Sequence, residues 1–424
     1  MSTKQNKYLP FLMWLFPLSF FTYQFIWRLW PSLTMQQMME QFSIDASHFG
    51  LYAALYYYGY SLMQIPIAIL LERYHPRFII FWFASLCGIA ALIFNYTDNW
   101  YIACFTRLLV GIGSAVGFLG VSRVVSEWFT KDNYGKMIGF SFSVGLTGAV
   151  YGGKPVSLLI ERYNWHNVAL VLSLFAIIIG CSALLFLRSP KTANNNKLKR
   201  EPFNFSNFKT LLCSPTIWLL AIANLLMVGS LEGVSDVWGV PYLMTAYGLN
   251  KADAAQLISF VFIGMLFGGP LLTIFSKKLG NYPVIILCAI GMAIAFCCLL
   301  FNTQFNLWSL SCLFFLVGIM CCYQVLVFAA GSDLVKPELL GVTIALLNCV
   351  NMLGGSFFHT SIGRMMDLFW TGILKEDGLR YYTLDSYKAA LMLIPICSIV
   401  GAIILSFLAV KLKKKVSTQL AWSN

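Results

Sequence analysis

The sequence predicts an all-α membrane protein of twelve transmembrane helices in two six-helix repeats. Three observations predict it. The 424 residues are 59% hydrophobic and only 11% charged, whereas a soluble domain carries about 25% charged residues. The apolar residues fall in runs of about twenty, the length that crosses a bilayer as a helix. Proline, glycine and charged-turn landmarks of the first half recur in the same order in the second.

Twelve runs are legible: 9–31, 48–71, 78–96, 100–125, 136–158, 166–187, 216–242, 253–275, 282–301, 307–331, 340–362 and 387–410. The first does not read as a cleavable leader, because it is too long, contains Arg28 and lacks a small-residue cleavage site. Pro31-Ser-Leu33 closes the first run and Pro241-Tyr-Leu243 the seventh. Pro66 precedes the charged turn Glu72-Arg73, and Pro270 precedes Ser276-Lys277-Lys278 at an offset of 204. Gly148 in span five and Gly354 in span eleven match at an offset of 206. Such landmarks divide the chain into bundles 1–187 and 216–424 joined by a polar cytoplasmic linker, 188–215. The longest outer loop, 363–386, mixes Asp367, Lys375, Glu376, Asp377, Arg380 and Asp385 and reads as a solvated surface.

The net charge of +12 has a topological meaning. With the N-terminus inside, cytoplasmic segments hold 19 of the 29 Lys and Arg, outer loops hold 6, and Arg28, Arg107, Arg123 and Lys154 lie in spans. This asymmetry places both termini in the cytoplasm. It accounts for the basic balance without nucleic acid as a partner. The twelve cysteines are scattered through the spans without a Cys-x-x-Cys pair and read as packing residues rather than metal ligands.

The turn Glu72-Arg73-Tyr-His-Pro-Arg77 resembles the loop between the second and third helices of the major facilitator superfamily, Gly-x-Leu-x-Asp-Arg-x-Gly-Arg-Arg. Leu70, Arg73 and Arg77 match it, while Ala68, Glu72, His75 and Pro76 depart from it. Arg107-Leu-Leu-Val-Gly111-Ile-Gly113 matches the fourth-helix pattern Arg-x-x-x-Gly-x-Gly in full. Ser126-Glu127-Trp128-Phe129 and Gln64-Ile-Pro66 look like the anion:cation symporter branch. The run from Glu232 to Leu243 is similar to phagosomal nutrient transporters of intracellular bacteria, which carry amino acids or nucleosides. The resemblance implies a monomeric carrier in a bacterial inner membrane, without cofactor, working by alternating access around a cavity between the halves.

A charge at a span centre costs about 2.5–3.5 kcal/mol on insertion scales, so each intramembrane charge demands a reason. Arg107 reads either as partner of a titrating carboxylate or anionic substrate, or as a structural donor to carbonyls of a broken helix. Glu232 and Asp236, four apart, share a helix face. Two carboxylates so close do not both ionise cheaply, which is what a proton carrier requires. The alternative is permanent pairing with cations. Arg28 and Asp236 sit at similar depth before Pro31 and Pro241, and are expected to pair across the outer mouth. Lys154, in Gly152-Gly153-Lys154-Pro155, is expected to meet a substrate carboxylate or Glu161. Tyr23, Gln24, Tyr57, Asn224, Gln324, Asn348 and Asn351 are candidates for binding substrate, each with interhelical bonding as its plainer alternative. Glu72, Arg73 and Arg77 read as a cytoplasmic latch, with Arg123 beside it facing Glu127 or the turn. His359 either titrates or is structural.

Cationic and anionic cavity residues together suit a zwitterion. The expectation is therefore a transporter, not an enzyme, that takes up a small polar solute with protons. An amino acid comes first, then a nucleoside or an organic acid. An efflux pump of the same fold and a non-transporting sensor remain open alternatives.

Overall fold

The computed structural model describes residues 8–190, 211–302, 304–336, 339–376 and 378–422. Most of the expected linker therefore lies outside the described residues. Helix dominates throughout: α1 Leu9–Phe42, α2 Ala46–Arg73, α3 Pro76–Asn95, α4 Trp100–Ser114, α5 Val116–Trp128, α6 Lys131–Gly152, α7 Lys154–Tyr163 and α8 Trp165–Phe186. After the linker come α9 Pro215–Met227, a 3-10 turn Val228–Ser230, a π-helix Leu231–Trp238, α10 Gly239–Tyr247, α11 Lys251–Leu279 and α12 Asn281–Phe301. Then follow α13 Leu307–Cys321, α14 Tyr323–Ser332, α15 Leu340–Leu368, α16 Leu384–Leu391 and α17 Leu393–Trp422. Among the described residues, eleven continuous helical stretches are long and apolar enough to cross a membrane. The span expected at 136–158 is present as α6 and α7, which part at Gly153.

Two boundaries differ from expectation. Pro31 does not end the first helix, which continues to Phe42, and Pro241 lies inside α10, which runs to Tyr247. A proline removes one donor from a helix but need not stop it where another group serves the freed carbonyl. Trp82, Leu62, Phe105, Ile178, Phe267 and Trp308 are exposed, as expected of side chains that face lipid.

Two compact units result. The first comprises Met1–Ile44, Leu51–Pro202 and Lys251–Gln256, the second Asp45–Gly50, Phe203–Asn250 and Leu257–Asn424. Within each unit a glycine sets a helix crossing. A Cβ on Gly148 would run into the carbonyl of Thr22, and one on Gly354 would meet Val228 and Leu225. These crossings are equivalent, since 354 − 148 = 206 and 228 − 22 = 206. From crossing to proline there are nine residues in α1 (22 to 31) but thirteen in the seventh span (228 to 241). The surplus falls where that span winds as 3-10 and π turns.

The outer loop expected to be a solvated surface is largely exposed, and it also carries regular structure. α15 extends to Leu368, and the residues after it form a small hairpin closed by an antiparallel bridge between Leu374 and Arg380. Two of its charges meet one another: Arg380 Nη1 lies 2.9 Å from Asp367 Oδ1.

Candidate functional site

The second unit concentrates buried polarity along the seam between the seventh span and α15. The π-helix carries both Glu232 and Asp236, and each is fully buried. π-winding is rare and gathers at functional sites. Here it is visible in a side chain as well, because Ser235 Oγ donates to the carbonyl of Ser230, five residues back, at 3.1 Å. Gly229 and Gly233 lie against the ring of Phe358, so the neighbouring His359, also fully buried, is level with Glu232 along the seam. Glu232 and Asp236 both lie near Cys321, and Glu232 near Tyr323.

Below this level, Tyr323 Oη donates to the carbonyl of Asn224 at 3.1 Å. The side chains of Asn224 and Asn351 are fully buried, and neither amide oxygen nor nitrogen has a hydrogen-bond partner among the described residues. Leaving such groups bare costs about 1–3 kcal/mol each, which singles these two side chains out within the unit. Gln324 and Asn348 are half-buried on α14 and α15, and the Gln324 amide nitrogen is likewise without a partner.

In the first unit, the sequence explains why Arg107 is where it is. Pro31 has no N–H, so the carbonyl of Trp27, four residues earlier, has no helical donor. Arg107 Nη1 takes that place at 2.7 Å, and Nη2 reaches the carbonyl of Arg28 at 3.3 Å. The guanidinium lies 4.8 Å from the ring centre of Tyr56 and 5.5 Å from that of Tyr52. Gly111 makes this closeness possible, because a Cβ there would strike the carbonyl of Tyr56. The structural reading of Arg107 is thus visible in its bonds. Arg28 lies over the rings of Phe25 and Tyr57. Gln24 accepts from Tyr56 Oη at 3.4 Å. Tyr23 donates to the carbonyl of Leu172 at 2.6 Å and accepts from the Trp27 indole, which makes it an interhelical tie.

Lys154 corrects an expectation. It meets Asp253 at 3.0 Å and Gln256 at 2.7 Å, on the first two turns of α11, rather than Glu161. Nothing local signals this pair, because 99 residues separate its members.

At the cytoplasmic end of the first unit, Glu72 and Arg73 are exposed, and Arg77 lies over the ring of Phe78. Arg123 pairs with Glu127 at 2.9 Å. His75, a departure from the superfamily pattern, caps α3: its Nδ1 accepts from the Arg77 backbone N–H at 3.3 Å. That bond leaves the proton on Nε2, which donates to Ser189 Oγ at 2.9 Å, and Ser189 in turn donates to Glu127 at 2.9 Å. Burial holds the His75 imidazole below its ordinary range, with Arg77 and Arg123 adding to the effect and Glu127 opposing it. The folded state therefore binds fewer protons than the unfolded chain. The cap's contribution is present at neutral pH and fades as pH falls below about 6.5. Melting temperatures of the purified protein should drop between about pH 7.5 and 5.5 more steeply than those of His75→Asn, which keeps a capping acceptor but does not titrate. Parallel curves would refute the assignment.

The model of the Major Facilitator Superfamily matches residues 15–359. A probable galactarate/D-glucarate transporter, GudP, of Escherichia coli K12 is 22% identical over 372 residues, covering 78% of this chain and 81% of that protein. A probable L-galactonate transporter of the same organism is 21% identical over 260 residues, and the match spans about half the length of each, 54%. Among solved structures, a nucleoside transporter, NupG, is similar with a TM-score of 0.77 at 12% identity, covering 94% of this chain and 99% of that one.

Proposed function

The chain belongs to the Major Facilitator Superfamily as an integral, multi-pass membrane transporter, and on that footing we propose that it moves a small polar metabolite together with a proton. The observation that carries this reading is the π-helical turn holding Glu232 and Asp236, both fully buried, in the same unit as the orphaned amides of Asn224 and Asn351. Ionisable side chains buried within a span mark ion or proton pathways by default. A carrier that holds a proton in one state and releases it in another is a proton-coupled transporter. Asp236 and Glu232 are assigned that exchange, and Asn224 and Asn351 are assigned hydrogen bonding to solute.

The solute class follows from sign. A buried carboxylate attracts an ammonium group and repels a carboxylate, so an amino acid suits this unit best. The named solutes of the two Escherichia coli relatives favour a second reading, a sugar acid, whose hydroxyl groups would satisfy the amides. Reconstituted protein should take up an amino acid saturably, faster when the outside is made acidic. Uptake of galactarate or glucarate alone would replace the solute class. Saturable uptake indifferent to an imposed pH gradient would remove proton coupling.

A further inference from the structure

A cleft of about 490 Å³ opens in the first unit, at the end opposite the Glu72-Arg73 turn. Three helix ends build it. Glu40 and Gln41 come from the last turn of α1, Asn95 and Asp98 from the end of α3 and the turn after it, and Trp165 and His166 from the first turn of α8. The volume falls in the range of small-molecule sites, roughly 300–1,000 Å³. The cleft shares no residue with the seam that holds Glu232 and Asp236, which belongs to the second unit.

Its lining is rich in acceptors. A helix ends in free carbonyls at the negative end of its dipole, and a Lys, Arg or His in the last turn is the usual complement. Neither α1 nor α3 has a basic residue in its last turn. α1 carries Glu40 there instead, and Asp98 follows three residues after α3. Both carboxylates are exposed. An acid at a helix C-terminus opposes the dipole, so the arrangement is unfavourable until a cation offsets it.

The neutral groups point to N–H donors. Gln41 Nε2 donates to the Thr97 carbonyl at 3.2 Å and to Asp98 Oδ1 at 3.1 Å. Both partners can only accept, which fixes the amide orientation. Gln41 Oε1 is then buried without a donor among the described residues. Asn95 is buried, and its Oδ1 faces His166 Nδ1 at 3.1 Å. A carbonyl oxygen only accepts, so a neutral His166 holds its proton on Nδ1 and keeps Nε2 as an acceptor. α8 brings the one N-terminus to this cleft, and it is already capped: Asn164 Oδ1 accepts from the His166 N–H at 3.4 Å. The backbone is unusual at both borders. Ser43, which ends α1, has a φ of 50°, and Asn164, which opens α8, has a φ of 67°. No other non-glycine residue among those described has a positive φ, and such conformations gather at functional sites.

We propose that this cleft binds a small organic cation bearing several N–H donors, of the diamine class. Two ammonium groups serve Glu40 and Asp98, their N–H groups reach Gln41 Oε1 and His166 Nε2, and the apolar stem lies by the Trp165 ring. A divalent metal ion is a poorer match, because no three His, Cys, Asp or Glu side chains among the described residues are grouped to hold one. Occupancy ties the ends of α1, α3 and α8 together and so stabilises the first unit. The proposal goes beyond the transport reading and does not rest on it; failure of either leaves the other standing.

Calorimetric titration of the purified full-length protein with putrescine at low salt tests the site. Putrescine should bind saturably and raise the melting temperature. Glu40→Gln and Asp98→Asn should each weaken binding by about tenfold or more, as loss of a hydrogen bond to a charged group implies. Glu161→Gln removes an exposed acid that does not line the cleft and should leave binding unchanged. Tetramethylammonium, a cation without N–H donors, should bind about tenfold more weakly or worse. Both lining acids are exposed and their amide replacements keep the shape, so equal melting temperatures without putrescine certify the fold. Absence of saturable putrescine binding at millimolar concentration would overturn the site. Equal weakening in Glu161→Gln, or equal binding of tetramethylammonium, would replace it with a diffuse negative field. Tighter binding of magnesium than of putrescine would overturn the ligand class.

Discussion

Replacing Glu232 by Gln, or Asp236 by Asn, should cut uptake driven by a pH gradient by about tenfold or more, with the larger loss at whichever residue holds the exchangeable proton. The estimate follows from burial. Both carboxylates are fully buried on one π-helical stretch, where no water can take over the role of a side chain that carries a proton. An amide of the same shape removes the titration and keeps the volume. The informative measurement is solute exchange across the membrane without a gradient. A residue that only carries the proton can be neutralised with exchange retained, so gradient-driven accumulation disappears while counterflow persists. A residue that also binds an ammonium group loses both. If both variants keep normal gradient-driven accumulation, neither acid is the coupling site.

The second large effect concerns Arg107 and Pro31. Arg107→Ala should destabilise the protein by about 3 kcal/mol, because it strips a buried carbonyl of a charged donor and removes the guanidinium stacked on Tyr52 and Tyr56. The proline makes a sharper test. Pro31→Ala restores an N–H four residues after Trp27, so it offers that carbonyl the helical donor the native sequence withholds. In the Arg107→Ala background it should recover about 1 kcal/mol, the usual net value of one hydrogen bond. The two substitutions should therefore couple by about 1 kcal/mol in a double-mutant cycle, read from thermal unfolding in detergent. Strict additivity would mean that Arg107 does not stand in for the missing amide. Retention of uptake by the double variant would further separate this packing role from any role toward solute.

Much of the architecture was legible because the bilayer imposes a strong local pattern. Run length, scarcity of charge and the bias of Lys and Arg are summed over tens of residues and survive local irregularity. The helix ends were less legible. Pro31 and Pro241 looked like terminators, and both lie within helices, since a donor distant in sequence replaced the lost amide in the first case. The winding of residues 228–238 carried only a faint cue, the cluster Gly229, Gly233 and Gly239. Asp367 and Arg380 were read as parts of a solvated loop, because a mixed-charge segment looks the same whether its charges meet water or one another.

The sequence by itself determined that this is a twelve-span membrane protein of duplicated design, and that one half carries the acids Glu232 and Asp236 within a span. Only the tertiary structure decided the partners: Arg107 with the carbonyls freed by Pro31, and Lys154 with Asp253. The division has a physical reason. Partition into lipid is an additive property of short stretches, which a linear reading can sum. A hydrogen bond or ion pair needs two groups within about 3 Å, and for groups 80 to 99 positions apart that closeness exists only once the helices have packed.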